Sequence, residues 1–261
     1  MFLNKLSLRK LRNIKEANLT LNRRTNVIVG ENAAGKTTIL EAIDVLSRGR
    51  SFRTNKIENL LNNGEGSLYV GATVGEKKRK LEIEKEKGKT RILIDDKEEK
   101  KQSVIAEELA VQSIHPNSHN IIEGTPSERR AFLDWGLFHV EQDFKRAWSK
   151  YTKILKQRNE ALKLRDQSEA TWLKKLAPAG ELISSMREGY LKGLQQHLEE
   201  VGRYIMPNLE LTFSYEKGWD DKKTLSDALN DKKQLDADKG FTSVGPQNAN
   251  IKIMLNGREA Q

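Results

Sequence analysis

The chain has 261 residues, 36% of them hydrophobic and 32% charged, with a formal net charge of +9 and no cysteine. Without cysteine there is no disulfide framework and no thiolate metal site, which points to a reducing, cytoplasmic setting. No apolar run approaches the ~18 residues of a membrane span, and no charged-then-apolar signal peptide opens the chain. The pI of about 9.5 favours an anionic partner, and the mean hydropathy of −0.70 suits an elongated form with long charged helices.

Leu6 and Leu8, then Leu19 and Leu21, fall on single faces and predict two strands joined by the polar stretch RKLRNIKEA. The run NVIVG predicts a short strand ending in a glycine loop. KTTILEAIDVL follows, with Ile39, Leu40, Ile43 and Leu46 at helical spacing. From Ser67 to Asp96 the pattern returns to strands: SLYVGATV, KLEIEKE and TRILIDD, separated by Gly75 and KGK. Thr125, Pro126 and Glu128 spell a capped helix start. From Pro126 to Tyr204 almost everything reads helical, with Pro178 and Gly180 marking a turn between two long helices and Pro207 stopping the last. LELTFSY alternates like a strand, with Leu209, Leu211, Phe213 and Tyr215 on one face. A short helix over Leu225 to Asp238 and a strand, IKIMLNG, close the chain.

The densest chemistry is GENAAGKT, Gly30 to Thr37, which fits the G-x-x-x-x-G-K-[ST] pattern at every fixed position. Glycines let the backbone curl so that successive N–H groups point inward at phosphate. Lys36 would reach the β- and γ-phosphates, and the Thr37 hydroxyl would sit on Mg2+. The nucleotide-binding candidates are therefore Gly30, Glu31, Asn32, Ala33, Ala34, Gly35, Lys36, Thr37 and the adjoining Thr38. The plain alternative is a glycine turn between strand and helix.

Magnesium-assisted hydrolysis also needs a carboxylate at the end of a buried strand. RILIDD, ending in Asp95 and Asp96, has the right order of residues, and a kinase or phosphotransferase built on them is one reading. Against it, the stretch lies in a field of lysine and glutamate, whereas a central parallel strand reads apolar throughout. IDDKEE reads better as an exposed hairpin turn. The strand IKIML ends in Asn256 and Gly257, and AFLDW places Asp134 on a helix.

Four stretches together resemble the RecF family, relatives of the SMC and ABC-type ATPase heads: LRKLRNIKEANLTL, VGENAAGKTTILEAI, GRSFRT and EGTPSERRAFLDWGLFHVE. The last is the most specific, and WSKYTKILKQRNEAL adds to it. The resemblance implies an α/β fold: a P-loop ABC-type head with a β-rich N-terminal subdomain and an inserted helical lobe. Its parts would be a head over 1–124, a lobe over 125–207 and a return to the head over 208–261. It implies ATP and Mg2+ as cofactors. It also implies binding to single-stranded, gapped and duplex DNA, an ATP-dependent homodimer, recombination mediator partners, and a role in DNA repair, replication and the SOS response to DNA damage, with recombinase loading. By the same resemblance Arg12 and Asn13 approach the nucleotide, and Gln112 is the Q-loop glutamine that monitors the metal. A polar turn and a strand-end glutamine are the plain alternatives.

Two departures bear on turnover. The family carries an ABC signature, an acidic strand and a switch histidine in its last third, and these are not found here. Its G-P-H-basic-acidic stretch reads GPQNAN, Gly245 to Asn250. A shortened copy and a drifted lineage both fit, and so does an ATP-binding DNA module without turnover.

Lys145 to Arg165 carries eight basic residues and one acidic, a local charge of +7. Trp148, Tyr151, Leu155 and Leu162 form an apolar stripe that leaves the lysines outside. This is a phosphate-contacting surface or a solvated helix face. Arg129 and Arg130 either pair with acids or belong to a DNA or dimer surface.

Overall fold

The computed structural model describes residues 2–260. The chain divides into two units, residues 1–115 and 116–261.

The first unit is built on a six-stranded antiparallel sheet in the order β2-β1-β3-β4-β5-β6. Its strands are β1 (Leu3–Leu11), β2 (Ile14–Thr20), β3 (Ser67–Val74), β4 (Arg79–Glu86), β5 (Lys89–Ile94) and β6 (Lys97–Glu99). Period-2 alternation sets the register. Leu8, Val70, Ile83 and Ile92 stand directly opposite one another across four strands, as do Leu6, Ala72, Leu81 and Ile94. All eight are buried. On this face packs α1 (Lys36–Arg48), through Ala42, Val45 and Leu46, with α2 (Ser103–Glu108) beside it. The first two strands are longer than their leucines predict, and only Arg12 and Asn13 separate them.

Asp95 and Asp96 form the two-residue turn between β5 and β6, with φ of 50° and 65°. Two successive left-handed residues make the turn whose twist matches a hairpin, and aspartate tolerates that region.

The expected strand over Asn26–Val29 is not formed. These residues join no ladder among the described residues, and Val27 and Val29 are 79% and 83% exposed. An apolar run becomes a strand only when another backbone supplies its hydrogen bonds, and the sheet that is present has β2 and β6 at its edges.

The second unit contains α3 (Asn120–Glu123), α4 (Pro126–Val140), α5 (Phe144–Leu164) and α6 (Glu169–Ile205). It also contains a three-stranded antiparallel sheet of β7 (Leu211–Glu216), β8 (Asn250–Leu255) and β9 (Arg258–Glu259). That sheet packs on α4 and α6. The predicted cap at Thr125 is present: its N–H donates to the Glu128 carboxylate at 2.7 Å. The helix expected over Leu225 to Asp238 is two, α7 (Leu225–Asp231) and α8 (Lys233–Lys239).

The turn expected at Pro178 and Gly180 is absent, and α6 runs through both. Proline forfeits the bond to the carbonyl four residues back and costs ~3 kcal/mol in a helix interior. Here Leu173, Leu176, Ala177, Ala179 and Ile183 are all buried around it, and that apolar face keeps the helix continuous. Gly180 is a packing residue: an added Cβ would lie 2.4 Å from Leu225 Cδ2.

Candidate phosphate-binding site

The loop ahead of α1 curls through a backbone bond from Ala34 N–H to the Glu31 carbonyl (3.2 Å), and α1 starts at Lys36. Gly35 has φ of 95°, and a Cβ there would press on Ile14 at 3.1 Å. The left-handed φ is what calls for glycine, and the Ile14 contact adds crowding of a few tenths of an ångström. Lys36 Nζ donates to the carbonyls of Gly30 (2.8 Å) and Glu31 (2.7 Å). Its ammonium is thus held across the loop it belongs to.

Asn13 stitches the loop to the β1–β2 turn. Its amide donates to the Ala33 carbonyl at 2.7 Å and accepts from the Thr38 hydroxyl at 3.0 Å. Its neighbour Arg12 makes a two-armed pair with Glu41, Nε to Oε2 at 3.0 Å and Nη2 to Oε1 at 2.7 Å. A cavity of about 750 Å³ opens here. Arg12, Asn13 and Asn32 to Thr38 line one part of it, and Arg53, Glu58, Asn59, Leu61, Asn62 and Asn63 the rest. Its size is typical of small-molecule sites. The lining holds three cations, Arg12, Lys36 and Arg53, and one carboxylate, Glu58; even with Glu41 paired to Arg12 behind it, positive charge is in excess, so the cavity is suited to an anion. The helix start adds its positive end and free N–H groups. These residues fit a nucleotide polyphosphate, and the exposed Thr37 hydroxyl fits a ligand of its metal.

The structure therefore brings Arg12 and Asn13 together with Asn32, Ala33, Ala34, Gly35, Lys36, Thr37 and Thr38. Gly30 and Glu31 act through their carbonyls on Lys36. Gln112 is exposed and does not line the cavity. Next to it, Ser113 Oγ donates to Asp44 on α1 at 3.1 Å. Burial pushes the Asp44 carboxyl above its ordinary range, while Arg48 and Ser113 pull it back.

Asp95 and Asp96 also lie away from the cavity lining. Asp95 accepts from the Lys80 backbone N–H at 2.8 Å and from Arg79 Nε at 3.2 Å, and these bonds hold it below the usual carboxylate range. Asp96 pairs with Lys80 at 2.8 Å. Both are engaged with basic partners on the hairpin turn, away from the phosphate loop, and no group of three His, Cys, Asp or Glu suited to a metal occurs among the described residues. The reading of this stretch as a kinase acid centre is set aside on that geometry.

Sequence reasoning missed Glu41, Ser51, Arg53 and Glu58. Arg53 and Ser51 belong to GRSFRT, a stretch singled out without a role for any of its side chains.

In the second unit, ERRAFLDW is a clamp on the 245–250 loop. Arg129 Nε donates to Asn250 at 3.0 Å, Arg130 Nη1 to the Ala249 carbonyl at 2.6 Å, and Asp134 accepts both arms of Arg187. Arg187 in turn donates to the Pro246 carbonyl at 2.6 Å, and Tyr151 bonds Gln247. On α5, Arg146, Lys150, Lys153 and Lys156 are exposed along one side. Arg158, counted with them from sequence, is fully buried and pairs with Glu169 and Asp236. Tyr151 is buried, and Trp148 stacks on it and on Phe144, so both belong to the core.

Residues 1–181 match the model of the AAA ATPase domain family. The chain is 36% identical to the DNA replication and repair protein RecF of Pseudomonas paraeruginosa, covering 100% of this chain and 72% of that protein. It is 35% identical to the RecF protein of Citrobacter koseri, over 98% of this chain and 73% of the relative. Among solved structures it matches one described as the recombination mediator protein RecF-ATP in the RecFOR pathway. The TM-score is 0.89 at 27% identity, covering 99% of this chain and 74% of that one.

Proposed function

Because the chain belongs to the family of the DNA replication and repair protein RecF, we propose that it binds ATP with Mg2+ at the Gly30–Thr38 loop and binds DNA in repair and replication. The observation that carries this is the cavity at the start of α1 lined by Arg12, Lys36, Thr37 and Arg53. Backbone N–H groups, a lysine and a threonine hydroxyl are the donor set a magnesium polyphosphate requires. A solved RecF named as bound to ATP supports the same ligand here.

For DNA, the exposed lysines of α5 supply sequence-independent phosphate contacts. Gapped and single-stranded DNA, help in loading a recombinase, and an ATP-dependent pairing of two copies are the finer parts of the proposal. They rest on the family and on the RecFOR setting of the solved relative. Gln112 is proposed to meet the metal once nucleotide and magnesium are bound.

As for turnover, Glu58 is the single carboxylate whose side chain lines the cavity among the described residues, and it sits on an exposed 3-10 turn, Ile57–Asn59. Phosphoryl transfer depends on positioning and charge stabilisation around the reacting phosphate. We therefore propose that these residues bind ATP without rapid hydrolysis. The test is fluorescence anisotropy of gapped and duplex DNA across a salt series, with and without ATP. Tighter DNA binding with ATP, and preference for the gapped form, are expected. Binding indifferent to ATP would contradict the coupling.

A further inference from the structure

Glu41 lies on α1, five residues past Lys36, and its side chain has no exposure. A buried carboxylate is costly unless it is paired and hydrogen-bonded. This one is heavily supplied. Oε1 accepts from Arg12 Nη2 at 2.7 Å and from Ser51 Oγ at 2.6 Å. Oε2 accepts from Arg12 Nε at 3.0 Å and lies 3.5 Å from Arg53 Nη1. Ser51 also receives the backbone N–H of Arg53 at 2.9 Å, so Glu41 is tied to Arg53 at both ends of that residue.

The two arginines are held differently. Arg12 is gripped by both arms, and its side chain is 24% exposed. Arg53 has one long contact, and its side chain is 50% exposed. Both line the phosphate cavity, and Glu41 does not. Packing α1 against the sheet needs one counter-ion for a buried acid. It does not need a second guanidinium, loosely tethered and half in the cavity.

From this arrangement we infer that Glu41 is a positioning residue for the polyphosphate. It fixes Arg12 at the loop and keeps Arg53 within reach, so that Arg53 closes on the bound phosphates and favours ATP over ADP. The inference rests on the cavity being the nucleotide site. A charge-assisted bond made to one more phosphate strengthens the triphosphate complex selectively. Arg53 contributes this because its existing pair is the weaker of the two.

The experiment is a double-mutant cycle on Glu41→Gln and Arg53→Ala, read as ATP and ADP affinity by titration calorimetry, with thermal unfolding alongside. Arg53→Ala is expected to weaken ATP about tenfold and ADP less than threefold, with an unchanged Tm. Glu41→Gln is expected to narrow the same ratio. In the double variant the ATP-to-ADP ratio stays near that of Arg53→Ala, because Glu41 acts on that ratio through Arg53, whatever its hold on Arg12 adds to both affinities. Additive changes in the ratio, or an unchanged ATP-to-ADP ratio in Arg53→Ala, overturn the inference. If Glu41→Gln does not fold, the cycle is run with Glu41→Asp, which keeps the charge but shortens its reach, and Arg53→Lys must restore part of the ratio. A wild-type chain that binds no ATP overturns the nucleotide site itself. ATP binding that depends on Lys36 but not on Arg53 overturns the positioning role alone.

Discussion

Asp134 and Arg187 meet in a two-armed ion pair, Nε to Oδ1 and Nη2 to Oδ2, both at 2.8 Å, with the Arg187 side chain fully buried. This pair gives the aspartate of FLDW a purpose that is structural. It joins α4 to α6, and Arg187 passes the connection on to the Pro246 carbonyl. Asp134→Ala leaves a buried guanidinium without its counter-ion, which costs about 3–5 kcal/mol. Urea unfolding of the variant reads it. A loss below about 1 kcal/mol would mean that Arg187 finds water or another acid.

Arg158 and its neighbours on α5 separate two roles on one helix. Replacing Lys150, Lys153 and Lys156 by Gln is expected to make the log–log salt slope of DNA binding shallower by about 2.7, at roughly 0.9 per phosphate contact on duplex DNA. Thermal stability should not change, since all three are exposed. Arg158→Gln should do the reverse, lowering Tm while leaving the slope alone, because it is bound to Glu169 and Asp236 inside the unit. An unchanged slope in the triple variant would make this face of α5 merely solvated.

Asp95→Asn is expected to leave nucleotide and magnesium affinity as they are, because Asp95 faces Arg79 and Lys80 on a hairpin turn. Asparagine accepts the left-handed turn geometry, so the fold is kept. The carboxyl is held below its ordinary value of 3.8, so the stability it lends is present above that pH and fades only as pH falls through its folded value. Acid unfolding of wild type and variant should therefore converge at the lowest pH. A clear loss of magnesium-dependent nucleotide affinity would reinstate this turn as an acid centre.

Phosphate release with ATP and DNA present is expected to stay at a residual rate for this chain. Robust release that Lys36→Ala abolishes would contradict that. Glu58→Gln would then identify the carboxylate, since Glu58 alone among the acids of the described residues lines the cavity.

Much of the fold was legible where the reason is local. The phosphate loop needs its glycines for backbone geometry, the sheet strands alternate with period two, and Thr125 with Glu128 announces a helix start. What was not legible depends on residues far apart in the chain. Pro178 and Gly180 look like breakers, and only the apolar face packed around them shows why the helix continues. Val27 and Val29 look like a strand, but pairing is a property of two backbones. Arg158 looks like one more surface cation until Glu169 and Asp236 are folded against it. The cluster behind the cavity wall joins residues 12, 41, 51 and 53, and no spacing rule links those positions. Glu41 reads simply as a polar position on an amphipathic helix.

The most direct test of the account is ATP binding by wild type and by Lys36→Ala, measured by titration with magnesium present. Lys36 bonds only exposed carbonyls of its own loop, so its loss should leave the unfolding transition within about 0.5 kcal/mol of wild type. The account predicts saturable one-to-one binding for wild type and none measurable for the variant at the same concentrations. Equal binding by both would contradict the assignment of the Gly30–Thr38 loop as the nucleotide site.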